Sequence, residues 1–170
     1  MKRPKPGDYI PYYDNYISKV EGDDAIKAME EQLPYSFKYF KSIPESKGKY
    51  FYAEGKWSVN EVIGHIIDTE RVFAYRALCI ARGEKKSLPG FEQDDYIKIA
   101  DFNNRKISDL ADEYKKVIEA NLGLFKSFNV DAINRRGIAN DKEITVNAIL
   151  FIIAGHEKHH LDILRTKYLD

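Results

Sequence analysis

The chain has 170 residues, 44% of them hydrophobic and 32% charged, which fits one folded domain and excludes an intrinsically disordered chain. Lysine plus arginine equals aspartate plus glutamate at 27 each, so no net charge attracts nucleic acid or an anionic membrane surface. No apolar run approaches the roughly 20 residues of a membrane span, and the single cysteine allows no internal disulfide, so we expect one cytoplasmic domain over residues 1–170.

The first segment of the chain, about residues 1–20, is unusually aromatic for a terminus. Four tyrosines lie between Tyr9 and Tyr16. Because so much aromatic surface is rarely left in water, we expect this N-terminal arm to pack either on its own domain or on a partner subunit.

Two helices are predicted after the arm. Apolar residues recur at helical spacing over about residues 23–42, although Pro34 predicts a kink or an interruption there. A second helix is predicted over residues 58–82. Its start is well marked, because Ser58 can cap the helix and Glu61 can complete a capping box.

Two further helices complete the predicted set. One amphipathic segment spans about residues 107–128, and the last helix spans about 145–168. The first half of that last helix is apolar nearly all round, which is typical of a helix inside a bundle. A short helix is expected at 94–99, and no run of alternating residues predicts a strand. The sequence therefore predicts an all-α protein with a four-helix bundle.

Histidines are concentrated on the last predicted helix, where His156, His159 and His160 lie within five residues. Residues four apart share one face of a helix, so His156 and His160 can offer two imidazoles to one ion. His159 points away from that face, and we interpret it as a supporting or surface residue. The remaining histidine, His65 on the second helix, can complete a site of three. Chance pairs of core histidines that bind no metal are the alternative.

The last helix also matches the HExxH pattern, in which two histidines bind zinc and the glutamate, here Glu157, acts as general base. Only ten residues follow His160, so a third ligand has to come from upstream, which disfavours a metalloprotease. The remaining coordination positions would be open to water or substrate, as in catalytic sites.

Five charged residues are further candidates for the site. Asp68, Glu70 and Glu157 could orient a ligand imidazole or move a proton, with a solvated helix face as the alternative for at least two of them. Arg71 and Arg76 could bind an anionic substrate group, or each could form a salt bridge. The long connection over residues 83–96 could cover a cleft or pack on the surface as a connector.

Two stretches resemble the DinB-like proteins, also described as a YfiT-like group of metal-dependent enzymes. Residues 57–71, WSVNEVIGHIIDTER, are similar to the family's segment around its first ligand histidine, and residues 154–160, AGHEKHH, to the segment that carries the other two. The resemblance covers most of the chain. It implies a bundle of up-down-down-up order, a divalent metal such as zinc or nickel on His65, His156 and His160, and a homodimer in many members.

Relatives in the wider superfamily use low-molecular-weight thiols such as bacillithiol and mycothiol. In the bacillithiol-transferase branch a further histidine often follows the first ligand, whereas this chain reads Asp68-Thr69-Glu70 there. The resemblance therefore implies a small-molecule substrate. It does not establish that a small thiol reacts with that substrate.

The leading hypothesis is an enzyme in which a divalent metal activates water or a small thiol against a small electrophile, as in a hydrolase or a thiol S-transferase. The alternative is a non-catalytic stress protein that is stabilised by the metal or binds a ligand. We expect no nucleic-acid or membrane partner.

Overall fold

The computed structural model describes residues 2–168, so Met1, Leu169 and Asp170, at the ends of the predicted domain, lie outside the described residues. The elements in chain order are α1 (Asp14–Ile17), α2 (Ala25–Ser42), α3 (Val59–Ala81), α4 (Gln93–Ala100), α5 (Ile107–Lys126), α6 (Val130–Asn134), β1 (Arg136–Ala139), β2 (Lys142–Thr145) and α7 (Val146–Ile163). Single turns of 3₁₀-helix lie at Pro11–Tyr13, Glu45–Lys47 and Phe102–Asn104, and a π-helical turn, Leu164–Tyr168, extends α7.

The four long helices lie close to their predicted positions. The start of α3 has the expected capping box, because the Ser58 hydroxyl accepts from the Glu61 N–H and the Glu61 carboxylate accepts from the Ser58 N–H at 2.6 Å. Pro34 does not interrupt the helix, since α2 continues through it. Pro34 is exposed, whereas Met29 and Phe40 on either side of it are buried. Tertiary packing of the apolar face therefore outweighs the lost backbone hydrogen bond.

The order of the bundle helices is up-down-down-up. The Asn60 side chain donates to the Arg105 carbonyl at 2.9 Å, so α3 and α5 begin at the same end and run parallel. The Tyr168 hydroxyl donates to the Trp57 carbonyl at 2.7 Å, so α7 ends where α3 begins. The last turn of α2 likewise contacts the first turn of α5. Each of α2 and α3 packs against both α5 and α7, which places α2 and α3 across the bundle from each other.

A small β-hairpin precedes α7, and the expectation that no strand forms was wrong. Strand β1 pairs with β2 in antiparallel register, with Arg136 opposite Thr145. Asn140 and Asp141 form the turn, with φ of 50° and 55°. These residue types tolerate the left-handed conformation that a two-residue hairpin turn needs. Four-residue strands are too short for their alternation to be recognised in the sequence.

The aromatic N-terminal arm packs on its own domain, where α1 lies against α7. Gly155 permits this approach, because a Cβ at that position would overlap the backbone carbonyl oxygen of Tyr16. The Arg3 guanidinium fastens the arm further by donating to the Ile17 carbonyl at 2.7 Å. None of the helices within residues 2–168 has the length and apolar character of a membrane span.

Candidate metal centre and its cleft

Three histidines from two helices meet inside the bundle. His65 lies in the second turn of α3, and His156 and His160 lie one turn apart on α7. The Nε2 atom of His156 is 3.0 Å from Nε2 of His65 and 3.1 Å from Nε2 of His160. The three residues are buried, with 3%, 6% and 9% of their surface exposed for His65, His156 and His160. Three ring nitrogens therefore face one small volume.

This donor set fits a divalent metal ion better than it fits a chain of hydrogen bonds. An ion roughly 2.0–2.1 Å from each imidazole nitrogen separates neighbouring ligand nitrogens by roughly 2.9–3.4 Å, for octahedral to tetrahedral angles. Both observed separations fall in that range. Without an ion, Nε2 of His156 would have to pair with two neighbours, although a neutral ring nitrogen offers one proton or one lone pair.

Burial keeps these imidazoles in the neutral form that binds metal. It lowers the pKa of His65 to about 4, with the charge of Asp94 opposing part of that shift. The pKa values of His156 and His160 lie well below the ordinary value, because burial and the neighbouring histidines both disfavour a positive charge. The three rings are therefore ready to act as ligands at neutral pH without losing a proton.

The lowered pKa of His65 predicts a loss of stability in mild acid for the metal-free protein. Below pH 6.5 the unfolded chain binds a proton at His65 that the folded chain does not bind until about pH 4, so the free energy of unfolding falls as pH falls through that window. Between pH 7 and 5.5 we expect the wild type to lose roughly 1 kcal/mol more than His65→Gln. Urea unfolding of chelator-treated protein measures the difference. An equal loss in both proteins would contradict this account.

His65 is held in place by residues on two sides. The Thr69 hydroxyl lies 3.5 Å from Nδ1 of His65, one helical turn further along α3. The Trp57 ring packs against the imidazole, with 4.7 Å between ring centroids. The Trp57 indole N–H in turn donates to the Asp94 carboxylate at 3.1 Å. Trp57 thus connects His65 to the short helix α4.

A cleft of about 270 Å³ opens beside His65 and His156. Its walls come from the N-terminal arm, α3, the segment before and at the start of α4, the hairpin turn and α7. The lining residues are Tyr12, Tyr13, Tyr16, His65, Thr69, Phe73, Arg76, Phe91, Glu92, Gln93, Asp94, Asn140, Ile152 and His156. The connection over residues 83–96 therefore covers one side of the cleft with its second half.

None of the three predicted acid–base residues lines this cleft. Glu157 points between α2 and α5, where its carboxylate accepts hydrogen bonds from Ser36 and from Tyr114, the latter at 2.6 Å. Glu70 is buried and accepts from the Asn121 amide at 3.0 Å. Burial raises the pKa of both glutamates. These two carboxylates belong to a polar group in the bundle core, and a catalytic role for them stays a prediction.

The candidate charges on α3 have different surroundings. Arg71 forms ion pairs with Glu113 at 2.6 Å and with Asp68 at 3.7 Å. Two of the candidate residues, Arg71 and Asp68, are therefore paired in salt bridges. Arg76 instead lines the cleft. The sequence offered both arginines equally, because the partner Glu113 comes from α5 and is not visible from the spacing along α3.

Two residues of the site, one aromatic and one acidic, were not predicted from the sequence. Tyr16 of the arm packs edge-on against the rings of His156 and His159, at 5.3 and 5.4 Å between centroids. Asp94 lies close enough to His65 to act on its pKa. Both come from segments remote in sequence from the histidines, so no local pattern marks them. His159 itself lies outside the three-histidine cluster and is half-buried against the arm.

Comparison with known proteins connects the chain to one family. The model of the DinB superfamily matches residues 28–164. The solved structure of YfiT from Bacillus subtilis, described as a probable metal-dependent hydrolase with an unusual four-helix bundle topology, has a TM-score of 0.73 at 17% identity, over 86% of this chain and 90% of that chain. YjoA, a DinB-like protein from the same organism, has a TM-score of 0.59 at 20% identity, over 83% of this chain and 86% of that chain. No curated protein sequence matches the chain.

These likenesses differ in what they establish. At 17% and 20% identity, the two solved structures establish the fold alone, and they confirm the predicted four-helix bundle. The family model covers well over half of the sequence, including most of α2, all of α3, α5 and α7, and both histidine segments. The chain belongs to the DinB superfamily.

Proposed function

We propose that this chain is a metal-dependent hydrolase, in which His65, His156 and His160 hold a divalent ion such as zinc or nickel. The observation that supports the proposal most directly is that Nε2 of His156 lies 3.0 and 3.1 Å from Nε2 of the other two buried rings, with all three ligand atoms within 4.8 Å of one another. A site with three nitrogen ligands beside a cleft leaves positions for water or substrate, as catalytic sites do. YfiT, which shares the fold, is described as a probable metal-dependent hydrolase.

When bound, the ion would supply a Lewis acid that lowers the pKa of water or of a small thiol at the base of the cleft. The chain's own residues would then bind and orient the reactants. Asp94 is an exposed carboxylate on the cleft wall near His65, so it is placed to accept a proton from the nucleophile. The Trp57 N–H would fix the orientation of that carboxylate. Asp94 thus joins Asp68, Glu70 and Glu157 as a candidate acid–base residue.

The experiment that tests this function compares turnover by four protein samples. Metal-loaded wild type, chelator-treated wild type, His160→Ala and His159→Ala are assayed against a panel of small esters, lactones and amides, with and without added cysteine as a small thiol. We expect loaded wild type and His159→Ala to hydrolyse at least one substrate. Chelation or His160→Ala should lower the rate roughly 100-fold or more, since each removes part of the metal site.

The outcomes separate the remaining alternatives. Turnover that requires cysteine would favour the thiol S-transferase form of the reaction. Metal that raises stability while no substrate reacts in any condition would favour the non-catalytic metal-stabilised protein, a reading that the deep burial of the three ligands also supports. A homodimer and a cytoplasmic location stay predictions, and sedimentation of the loaded protein tests the first.

A further inference from the structure

Arg76 is a buried cation in the wall of the cleft. It is only 4% exposed, although arginine is almost never fully buried without a partner for its charge. Its guanidinium stacks over the rings of Phe73 and Phe91, at 4.9 and 5.7 Å from the centroids. One of its N–H groups donates to the Pro89 carbonyl at 2.7 Å. These contacts fix the plane of the guanidinium at the edge of the cavity.

No carboxylate neutralises this charge within residues 2–168. The ion pairs of the described chain include Arg71, Arg105 and Arg136 but not Arg76. The groups that act on its charge are the phenols of Tyr13 and Tyr96, and burial lowers its pKa. A guanidinium has five N–H donors, and the Pro89 carbonyl takes one of them. Among the described residues the Pro89 carbonyl is the one hydrogen-bond acceptor for Arg76, so most of its donor capacity remains for a ligand.

In the absence of the ion, the two ends of the cleft differ in charge. Arg76 follows His65 by eleven residues on the same helix, a rise of about 16 Å along the axis, and helical side chains lean back towards the N-terminus. Asp94 lies at the histidine end. In the metal-free protein, an elongated ligand would therefore be oriented with its negative group at Arg76 and its neutral end beside the histidines. A bound divalent ion would add positive charge at the histidine end, so this orientation is tested without metal.

We propose that the cleft binds small carboxylic acids or their derivatives, with the carboxylate paired to Arg76 and an apolar body between Phe73, Phe91 and the tyrosines of the arm. A carboxylate matches the planar fork of arginine in a bidentate pair. In the metal-free cleft a phosphate dianion fits less well, because one arginine shares the cleft with Glu92 and Asp94. This inference rests on the proposed function for the reacting end, while the Arg76 subsite is tested by binding alone.

The test measures binding of benzoate, phenylacetate and 3-phenylpropionate by calorimetry, beside the neutral amide of each acid and phenyl phosphate. In chelator-treated protein, where no ion can bind the carboxylate, we expect at least one acid to bind the wild type roughly 10- to 100-fold more tightly than its amide. Arg76→Gln should abolish that preference, and Arg76→Lys should reduce it severalfold. Arg71→Gln is the matched control, since its arginine is already paired with Glu113, and it should keep the preference.

Each result decides the inference separately from the hydrolase function. Equal binding of acid and amide, no binding by any acid, or an unchanged preference in folded Arg76→Gln would overturn the Arg76 subsite even if the enzyme hydrolyses neutral esters. Tighter binding of phenyl phosphate than of every acid would overturn the carboxylate class. If Arg76→Gln does not fold, a preference in Arg76→Lys equal to that of the wild type overturns the subsite. A carboxylate preference that depends on Arg76, without any turnover, would support the subsite and count against the hydrolase.

Discussion

Removal of bound metal is expected to lower the thermal midpoint of the wild-type protein by roughly 10 °C. An ion that binds only the folded chain stabilises it by about 4 kcal/mol when its free concentration is a thousand times its Kd. In a domain of this length, each kcal/mol shifts the midpoint by roughly 2–4 °C. The shift depends on the three ring nitrogens being held together by folding, because the unfolded chain separates His65 from His156 by 91 residues.

His160→Ala should abolish this response, because two imidazoles hold a divalent ion far less tightly than three. His159→Ala is the matched control. The ring of His159 lies one residue away on the same helix and packs against His160 at 5.1 Å, but it is outside the ligand cluster. Thermal scans of each protein with zinc, with nickel and with chelator measure the effect. The same metal response in both variants, or none in the wild type, would contradict the three-histidine site.

The bundle and the histidine pair were predictable because their signals are local. A capping box at Ser58, apolar residues at helical spacing and histidines four apart on α7 each depend on neighbouring positions. His65 could be assigned by elimination, since it is the only other histidine apart from His159. The helical phase also indicates why Glu157 misses the cleft, because a residue adjacent to His156 is turned by about 100° around the helix.

The walls of the cleft were not predictable in the same way, because they come from segments far apart in the chain. Asp94 reaches the site through a short helix after a long connection, and Asn140 through a hairpin whose strands are four residues each. The distinction between Arg71 and Arg76 depends on Glu113, which approaches from α5. Local spacing therefore predicts the pair of histidines on α7, while long-range packing decides both the approach of His65 and the walls of the cleft.

The packing of the N-terminal arm on α7 is the clearest of these long-range features, and Gly155→Ala should disrupt it. An added Cβ would overlap the Tyr16 carbonyl oxygen, which belongs to backbone and cannot rotate away as a flexible side chain would. The arm then has to leave α7. We expect the free energy of unfolding to fall by roughly 3 kcal/mol, at the upper end of the cost of overpacking. Urea unfolding of the metal-free protein measures this loss without contribution from the ion.

Gly123→Ala on α5 is the matched control, since a Cβ there would have nothing within 4 Å. Alanine favours the helix over glycine by up to about 1 kcal/mol, so this variant should be as stable as the wild type or more so. The Gly155 variant should also bind ligands in the cleft more weakly, because Tyr12, Tyr13 and Tyr16 leave its wall together. If Gly155→Ala has the same free energy of unfolding as Gly123→Ala and keeps its ligand affinity, the packing of the arm does not depend on the close approach of Tyr16 to Gly155. If Gly155→Ala loses both stability and ligand affinity, the absence of a side chain at Gly155 is what allows the arm to pack beside His156.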